Sequence, residues 1–119
     1  MGNGGSGSTS SHFVSDLLKT AITNDSNRFK AISLVDNVPV TLAWSNDVSY
    51  DCIFSEQLKN FLADGDIVIG FSGRGGGEFN NYCDVNLVIP SEDTPRIQEM
   101  HILIGHTICH LIEQNFINI

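Results

Sequence analysis

The sequence predicts an α/β fold with a mostly parallel sheet flanked by helices, and three stretches carry that expectation. Asp66-Ile67-Val68-Ile69-Gly70-Phe71 is a nearly continuous apolar run of strand length, the pattern of a strand buried on both faces of a parallel sheet. Thr9 to Ile22 places Phe13, Val14, Leu17, Leu18, Ala21 and Ile22 on the stripe of an amphipathic helix. From about Thr94 to Phe116, Ile97, Met100, Ile102, Leu103, Ile104, Ile108, Leu111 and Ile112 leave so little polar surface that the helix must be covered by the sheet, by another chain, or by both.

Composition narrows the class. At 119 residues the chain is one domain, small for a complete α/β unit. Hydrophobic residues make up 41% and charged ones 17%, as in soluble globular proteins, and no apolar run reaches spanning length. No secretory signal opens the chain, so the expected location is the cytoplasm, away from any membrane. A formal charge of −8 repels a nucleic-acid backbone, which makes nucleic acid an unsuitable ligand. Cys52, Cys83 and Cys109 are odd in number and far apart, and they read as reduced, partly buried thiols.

The opening stretch Gly2-Asn3-Gly4-Gly5-Ser6-Gly7-Ser8-Thr9 fits a flexible linker. It also fits a Gly-rich turn running into a helix, where backbone N–H groups and hydroxyls can hold a phosphate. Ser and Thr before the apolar stripe supply capping groups. His12 and Asp16, four residues apart, project from one side of that helix. Thr23 to Asn27 is turn material. Ala31 to Leu34 and Val40 to Trp44 are expected to be strands, separated by Asp36-Asn37 and Pro39. Asn46 to Leu62 is expected to be a helix that buries Ile53, Phe54, Leu58, Phe61 and Leu62 and stops at Asp64-Gly65.

After the central strand, Ser72-Gly73-Arg74-Gly75-Gly76-Gly77 forms a second Gly-rich turn. It lies at the carboxyl end of a strand, where ligands sit in open α/β sheets. Asp84 to Ile89 is a further strand closed by Pro90. The last helix starts near Thr94-Pro95, with Pro95 at a tolerated first-turn position.

Several of these segments recur together and in this order in one family. They are Gly2-Asn3-Gly4-Gly5-Ser6 with His12, Ala31-Ile32-Ser33-Leu34 with Asp36-Asn37, and Ser45-Asn46-Asp47 with Tyr50. Asp66 to Ser72, Asp84 to Pro90 and Thr94-Pro95-Arg96-Ile97-Gln98-Glu99-Met100-His101 complete the set. The whole chain resembles a sugar isomerase (SIS) domain of the sedoheptulose-7-phosphate isomerase, or phosphoheptose isomerase, type. The resemblance implies a three-layer α/β sandwich, and it reads Gly2 to Ser6 as the family's own loop rather than a linker.

It also implies roles for particular residues. Asn3, Gly4, Gly5, Ser6, Asp47, Ser72 and Gln98 would contact the substrate, with Ser6 and Ser72 on its phosphate. His12, Asp16, Gln98 and His106 would form a zinc site, one ion per site, and Asp16 and His106 would also act in catalysis. The family's helix motif is His-x-x-x-Glu, and here Asp16 stands in place of Glu. His12 alone beside an apolar stripe reads as a structural histidine, and its pairing with Asp16 and the loop is what makes it a candidate. His101 and His110 lack that support and are expected to be structural or interface residues. Gln98 and His106 are eight residues apart, roughly 12 Å along a helix. Direct ligation of one ion by both is strained within a single chain, so a neighbouring subunit of the family's homotetramer would supply one of them.

Ketose–aldose interconversion moves a proton between C1 and C2 through an enediol(ate), which needs a base, an acid and stabilisation of oxyanion charge. The residue types suit those roles. Relative to the family pattern the domain is incomplete: the first helix and strand ahead of the loop, and one helix-plus-strand crossover of roughly 20–30 residues near Gly73–Gly77, are expected to be missing. Unpaired strand edges and apolar helix faces should follow. Either another chain covers them or the sequence is a fragment or internally deleted form of a longer protein. The second is favoured, and the family's activity would then belong to the parent.

Two functions fit this reading. One is an isomerase converting sedoheptulose 7-phosphate to a manno-heptose 7-phosphate for cell-surface heptose. The other is a non-catalytic SIS module that binds a phosphosugar or a protein partner, as relatives bound to a replication initiator do.

Overall fold

A computed structural model of the chain describes residues 1–20 and 28–117. The expected end of the first helix at Ala21 and Ile22 and the turn at Thr23 to Asn27 lie outside the described residues. In chain order the elements are α1 (Gly4–Ser15), a π-helical turn (Asp16–Thr20), α2 (Val38–Asp47), a 3-10 turn (Tyr50–Cys52) and α3 (Ser55–Leu58). They continue with β1 (Ile69–Gly73), a 3-10 turn (Gly77–Asn81), β2 (Val85–Ile89) and α4 (Thr94–Ile117).

The parallel sheet is present, with β1 and β2 paired in register from Ile69↔Val85 to Gly73↔Ile89. Among the described residues it has two strands. α4 is the spine, packing on α1, β1 and β2. Ile97 fills the gap beside Gly73, where any added side chain would collide with it. The connection from β1 to β2 covers only residues 74–84 and holds one 3-10 turn, whereas parallel crossovers usually carry a whole helix. Arg74, Gly76 and Gly77 all adopt positive φ there (58°, 79° and 56°), the left-handed conformation that so tight a return requires. Asn80 ties the turn together, donating to the Gly75 carbonyl and accepting from Asn86 Nδ2 at 2.6 Å.

Three expectations need correction. Val40 to Trp44 is helical, not a strand. Asn37 caps α2 by accepting from the Val40 N–H at 3.4 Å, and Pro39 sits in the first turn, where its missing donor costs nothing. Ala31 to Leu34 is not a strand either: no partner strand lies beside it among the described residues, and Ser33 and Leu34 are buried in a turn closed by Asp36 N–H donating to the Ser33 carbonyl. The helix expected over Asn46 to Leu62 is broken by extended Ser49 (φ −166°), whose hydroxyl caps Asp51 N–H. Ile53 is buried as expected, but Phe61 and Leu62 are exposed.

The Gly-rich opening is also more helical than a turn. α1 begins at Gly4, although glycine costs about 1 kcal/mol relative to alanine inside a helix. Hydroxyls support that turn, with Thr9 donating to the Gly5 carbonyl and Ser10 to the Gly7 carbonyl. Close packing adds to this: Gly7 is buried, and a side chain there would meet the Gly2 carbonyl and Val35.

The core is thin. Leu34, Ile53, Ile97 and Cys109 are its buried hydrophobic members among the described residues. The central strand is not buried on both faces: Ile67 is 71% exposed and Ile69 is 50% exposed. Val68 and Phe71 are half-buried and Gly70 is buried, so the apolar run read in the sequence is only partly covered. Met100, Leu103 and Leu111 form a further exposed apolar row on α4. No helix among the described residues is long and apolar enough to cross a membrane.

The two helical glycines at the α1 contacts should respond oppositely to alanine. A Cβ on Gly7 would lie 2.8 Å from the Gly2 carbonyl oxygen, and that backbone cannot swing aside. A Cβ on Gly105 would meet Phe13 at an ordinary 3.6 Å. Urea titration should show Gly7→Ala destabilised by about 1–3 kcal/mol and Gly105→Ala unchanged or stabilised by up to about 1 kcal/mol.

Candidate active site

The site is built where α1 crosses α4. Phe13 packs beside Gly105 where the two helices meet, with room left for a methyl group at that glycine. The next residues along, His12 and His106, then meet edge to edge. Their Nε2 atoms are 2.9 Å apart and their ring centroids 5.0 Å apart. Asp16, one helical turn past His12, completes the group: its Oδ2 is 3.7 Å from His12 Nε2 and 3.5 Å from His106 Nε2. Asp16 opens the π-helical turn, a feature common at functional sites because it re-aims side chains without ending the helix.

Two neutral imidazoles can share a 2.9 Å contact only if one Nε2 carries a proton and the other does not, or if both turn bare nitrogens toward a cation. The carboxylate favours either arrangement. Its side chain is 16% exposed, beneath two imidazoles that are each 50% exposed. Donor atoms on a tetrahedral ion with bonds of about 2.0–2.1 Å lie roughly 3.3–3.4 Å apart, and the three edges of this triangle bracket that value. His12, Asp16 and His106 can therefore hold a metal ion, with an outward position left for water or substrate.

A cleft of about 660 Å³ opens beside His12. Asn3, Gly4, Ser8 and Ser11 form its near wall, and Thr41, Tyr50 and Phe54 stand opposite. Asn3 makes no side-chain cap to α1, so its amide is available to the cleft. Ser6 points the other way, into a second cavity of about 290 Å³ that it shares with Phe71 and His101.

The remaining sequence candidates are dispersed. Gln98 does not lie with the three-residue cluster; its amide covers Gly5, where an added Cβ would come within 2.6 Å of it. Ser72 Oγ donates to Asn86 Oδ1 at 3.0 Å, which commits that hydroxyl to the sheet. Asp47 is exposed at the end of α2, takes a hydrogen bond from Asn46, and does not line the cleft. His101 donates Nε2–H to the Ser72 carbonyl at 3.1 Å and packs edge-on to Phe71, a structural placement. His110 pairs with Gln114 and Glu113 on the helix surface.

Sequence reasoning missed Ser11 and Asp36. Ser11 donates to Asp36 Oδ1 at 2.6 Å, and the sequence offers Asp36 only as part of a turn in one of the recurring segments. Tyr50 had been noted only as part of a motif, yet it lines the cleft.

Buried Cys109 lies one turn beyond His106. Burial first, and the Asp16 charge second, raise its thiol pKa. Reaction with iodoacetamide should therefore be slower at Cys109 than at the less buried Cys52 and Cys83. Asp16→Asn removes the charge contribution, lowers that pKa and should speed Cys109 labelling; peptide mass mapping reads all three rates.

The chain was compared with known proteins. No protein-family model matches it. It is 37% identical to a phosphoheptose isomerase of Clostridium acetobutylicum, with 95% of this chain and 70% of that protein aligned. A phosphoheptose isomerase of Aliarcobacter butzleri is also 37% identical, over 94% of this chain and 72% of its own length. Among solved structures, the phosphoheptose isomerase GmhA of Neisseria gonorrhoeae superposes with a TM-score of 0.84 at 26% identity, covering 96% of this chain and 74% of that one. A Francisella tularensis phosphoheptose isomerase gives 0.80 at 28% identity, over 94% and 73% of the two chains. With the Trichlorobacter lovleyi relative, 145 aligned positions span all 119 residues, so about 26 of them fall opposite gaps in this chain. The return between β1 and β2, residues 74–84, is short for a parallel crossover.

Proposed function

The chain belongs to the phosphoheptose isomerase family, and from that premise we propose that it interconverts sedoheptulose 7-phosphate and a manno-heptose 7-phosphate. The observation that supports this most directly is the meeting of His12, Asp16 and His106 beside a cleft walled by the Asn3-Gly4 loop. In the forward direction a proton leaves C1 of the ketose and O2 gains one, giving a 1,2-enediol. A proton then returns at C2 while O1 loses its own, leaving the aldose.

Asp16 is the base. A carboxylate has two oxygens, so Asp16 can face the imidazoles through Oδ2 and accept the carbon-bound proton through Oδ1. His106 is the acid that supplies O2, and His12, in contact with it, holds the ring and takes up the shifting proton. Asn3 and the loop backbone hold substrate hydroxyls, and binding at the far end of the sugar fixes C1 and C2 against Asp16. We assign zinc to His12, Asp16 and His106; when bound, it would occupy the facing Nε2 atoms in place of the shared proton and would itself polarise the substrate carbonyl, as a Lewis acid, in place of His106. Gln98 stays beside Gly5, outside the lining of the cleft, and is given no part in the proton transfer.

The cysteines are unpaired, which suits a reducing, cytoplasmic setting. The exposed row Met100, Leu103 and Leu111 supports assembly into a homo-oligomer, the tetramer of the family. A second reading is a non-catalytic module that binds a phosphosugar or a protein partner; Ser72, whose hydroxyl donates to Asn86 rather than standing open to a phosphate, favours its protein-binding form.

Turnover separates the two. The protein incubated with sedoheptulose 7-phosphate should form aldose, seen by NMR, and His106→Ala and Asp16→Asn should each lower kcat by about 10²–10⁴-fold. Metal analysis should find zinc in the wild type and none in His12→Ala. Binding of the sugar phosphate without any aldose formation would favour the second reading.

A further inference from the structure

A polar chain runs behind α1 and ends at the residue before His12. Buried Gln57 on α3 donates Nε2–H to the Leu34 carbonyl at 3.2 Å and to the Ile53 carbonyl at 2.7 Å, which anchors the turn of residues 33–36 from behind. That turn presents Ser33 and Asp36 to α1. Ser11 donates to Asp36 Oδ1 at 2.6 Å. Ser10 gives its proton to the Gly7 carbonyl at 2.8 Å, so the 2.9 Å contact between Ser10 and Ser33 is supplied by the Ser33 hydroxyl. Each hydroxyl thus has one outgoing bond: Ser33 through Ser10 leads to the Gly7 carbonyl, and Ser11 leads to the Asp36 carboxylate. The 3.2 Å approach of Ser11 to Ser33 packs the three serines into one cluster.

These bonds act on α1 across its axis. Packing of Phe13 against Gly105 leaves a smooth apolar contact about which a helix can roll. Rolling α1 would move His12 away from His106, because both imidazoles stand at the edge of that contact. We propose that Asp36, through Ser11, is a positioning residue that fixes the roll of α1 and thereby holds His12 against His106. Its functional consequence rests on the catalytic reading above; its geometric claim does not. Asparagine keeps an acceptor oxygen at the right place, whereas alanine removes it.

The test reads geometry and activity separately. In the metal-free protein, a cross-ring NOE between the His12 and His106 imidazoles should be present in the wild type and in Asp36→Asn. It should be lost or strongly weakened in Asp36→Ala and in Ser11→Ala, which removes the same bond from the exposed side of α1. In turnover with sedoheptulose 7-phosphate, Asp36→Ala should lose about 10–100-fold in kcat with KM little changed, and Asp36→Asn should restore most of it. A wild-type NOE pattern in folded Ser11→Ala or Asp36→Ala overturns the proposal. A wild type with the NOE but without turnover removes the catalytic reading and leaves the positioning of His12 standing.

Discussion

The close crossing of α1 and α4 is the constraint on which the rest of this structure depends. α4 also covers the sheet, so the helix that supplies His106 is fixed by β1 and β2. α1 carries the loop, His12 and Asp16 together, and its position against α4 decides whether those groups converge. Phe13 against Gly105 supplies proximity, and the serine–aspartate contacts supply direction. Neither suffices alone: apolar packing is indifferent to small rotations, whereas hydrogen bonds at 2.6–2.9 Å are not.

A protein with so small a buried core must keep its site by local means. The buried polar residues Ser33, Gln57 and His101 all have partners, and no buried side-chain donor or acceptor is unpaired among the described residues. Removing an acceptor from such a network leaves the opposing group unsatisfied and costs about 1–3 kcal/mol. The loss counts heavily where little apolar area is buried. Exposed Ile67, Ile69, Leu103 and Leu111 mark where further cover would add most.

Much of the site was readable before the structure. His12 and Asp16 share a helix face at a spacing that any α-helix enforces, so their meeting followed from four-residue periodicity. The partner His106 came from family resemblance, since no local pattern relates residues so far apart in the chain. Local spacing misled at Val40 to Trp44: β-branched residues read as a strand, while Asn37 and Pro39 were helix-start signals. Asp36 was illegible because its meaning lies in Ser11, on another element. Ser72 was found in the right strand, but the sequence could not reveal that Asn86 would occupy its hydroxyl.

On the proposed function, this cluster transfers a proton between C1 and C2 at a site open to water. Asp16, which takes the C1 proton, lies against His12 and His106, each half exposed, so that proton can pass to the imidazoles and exchange with solvent. The most direct test is isomerisation of sedoheptulose 7-phosphate in D2O with the wild-type protein, followed by NMR of the aldose. The account predicts deuterium at C2 of the product. Aldose formed with only protium at C2 would mean a hydride shift or a proton that never meets solvent, and either result would overturn it.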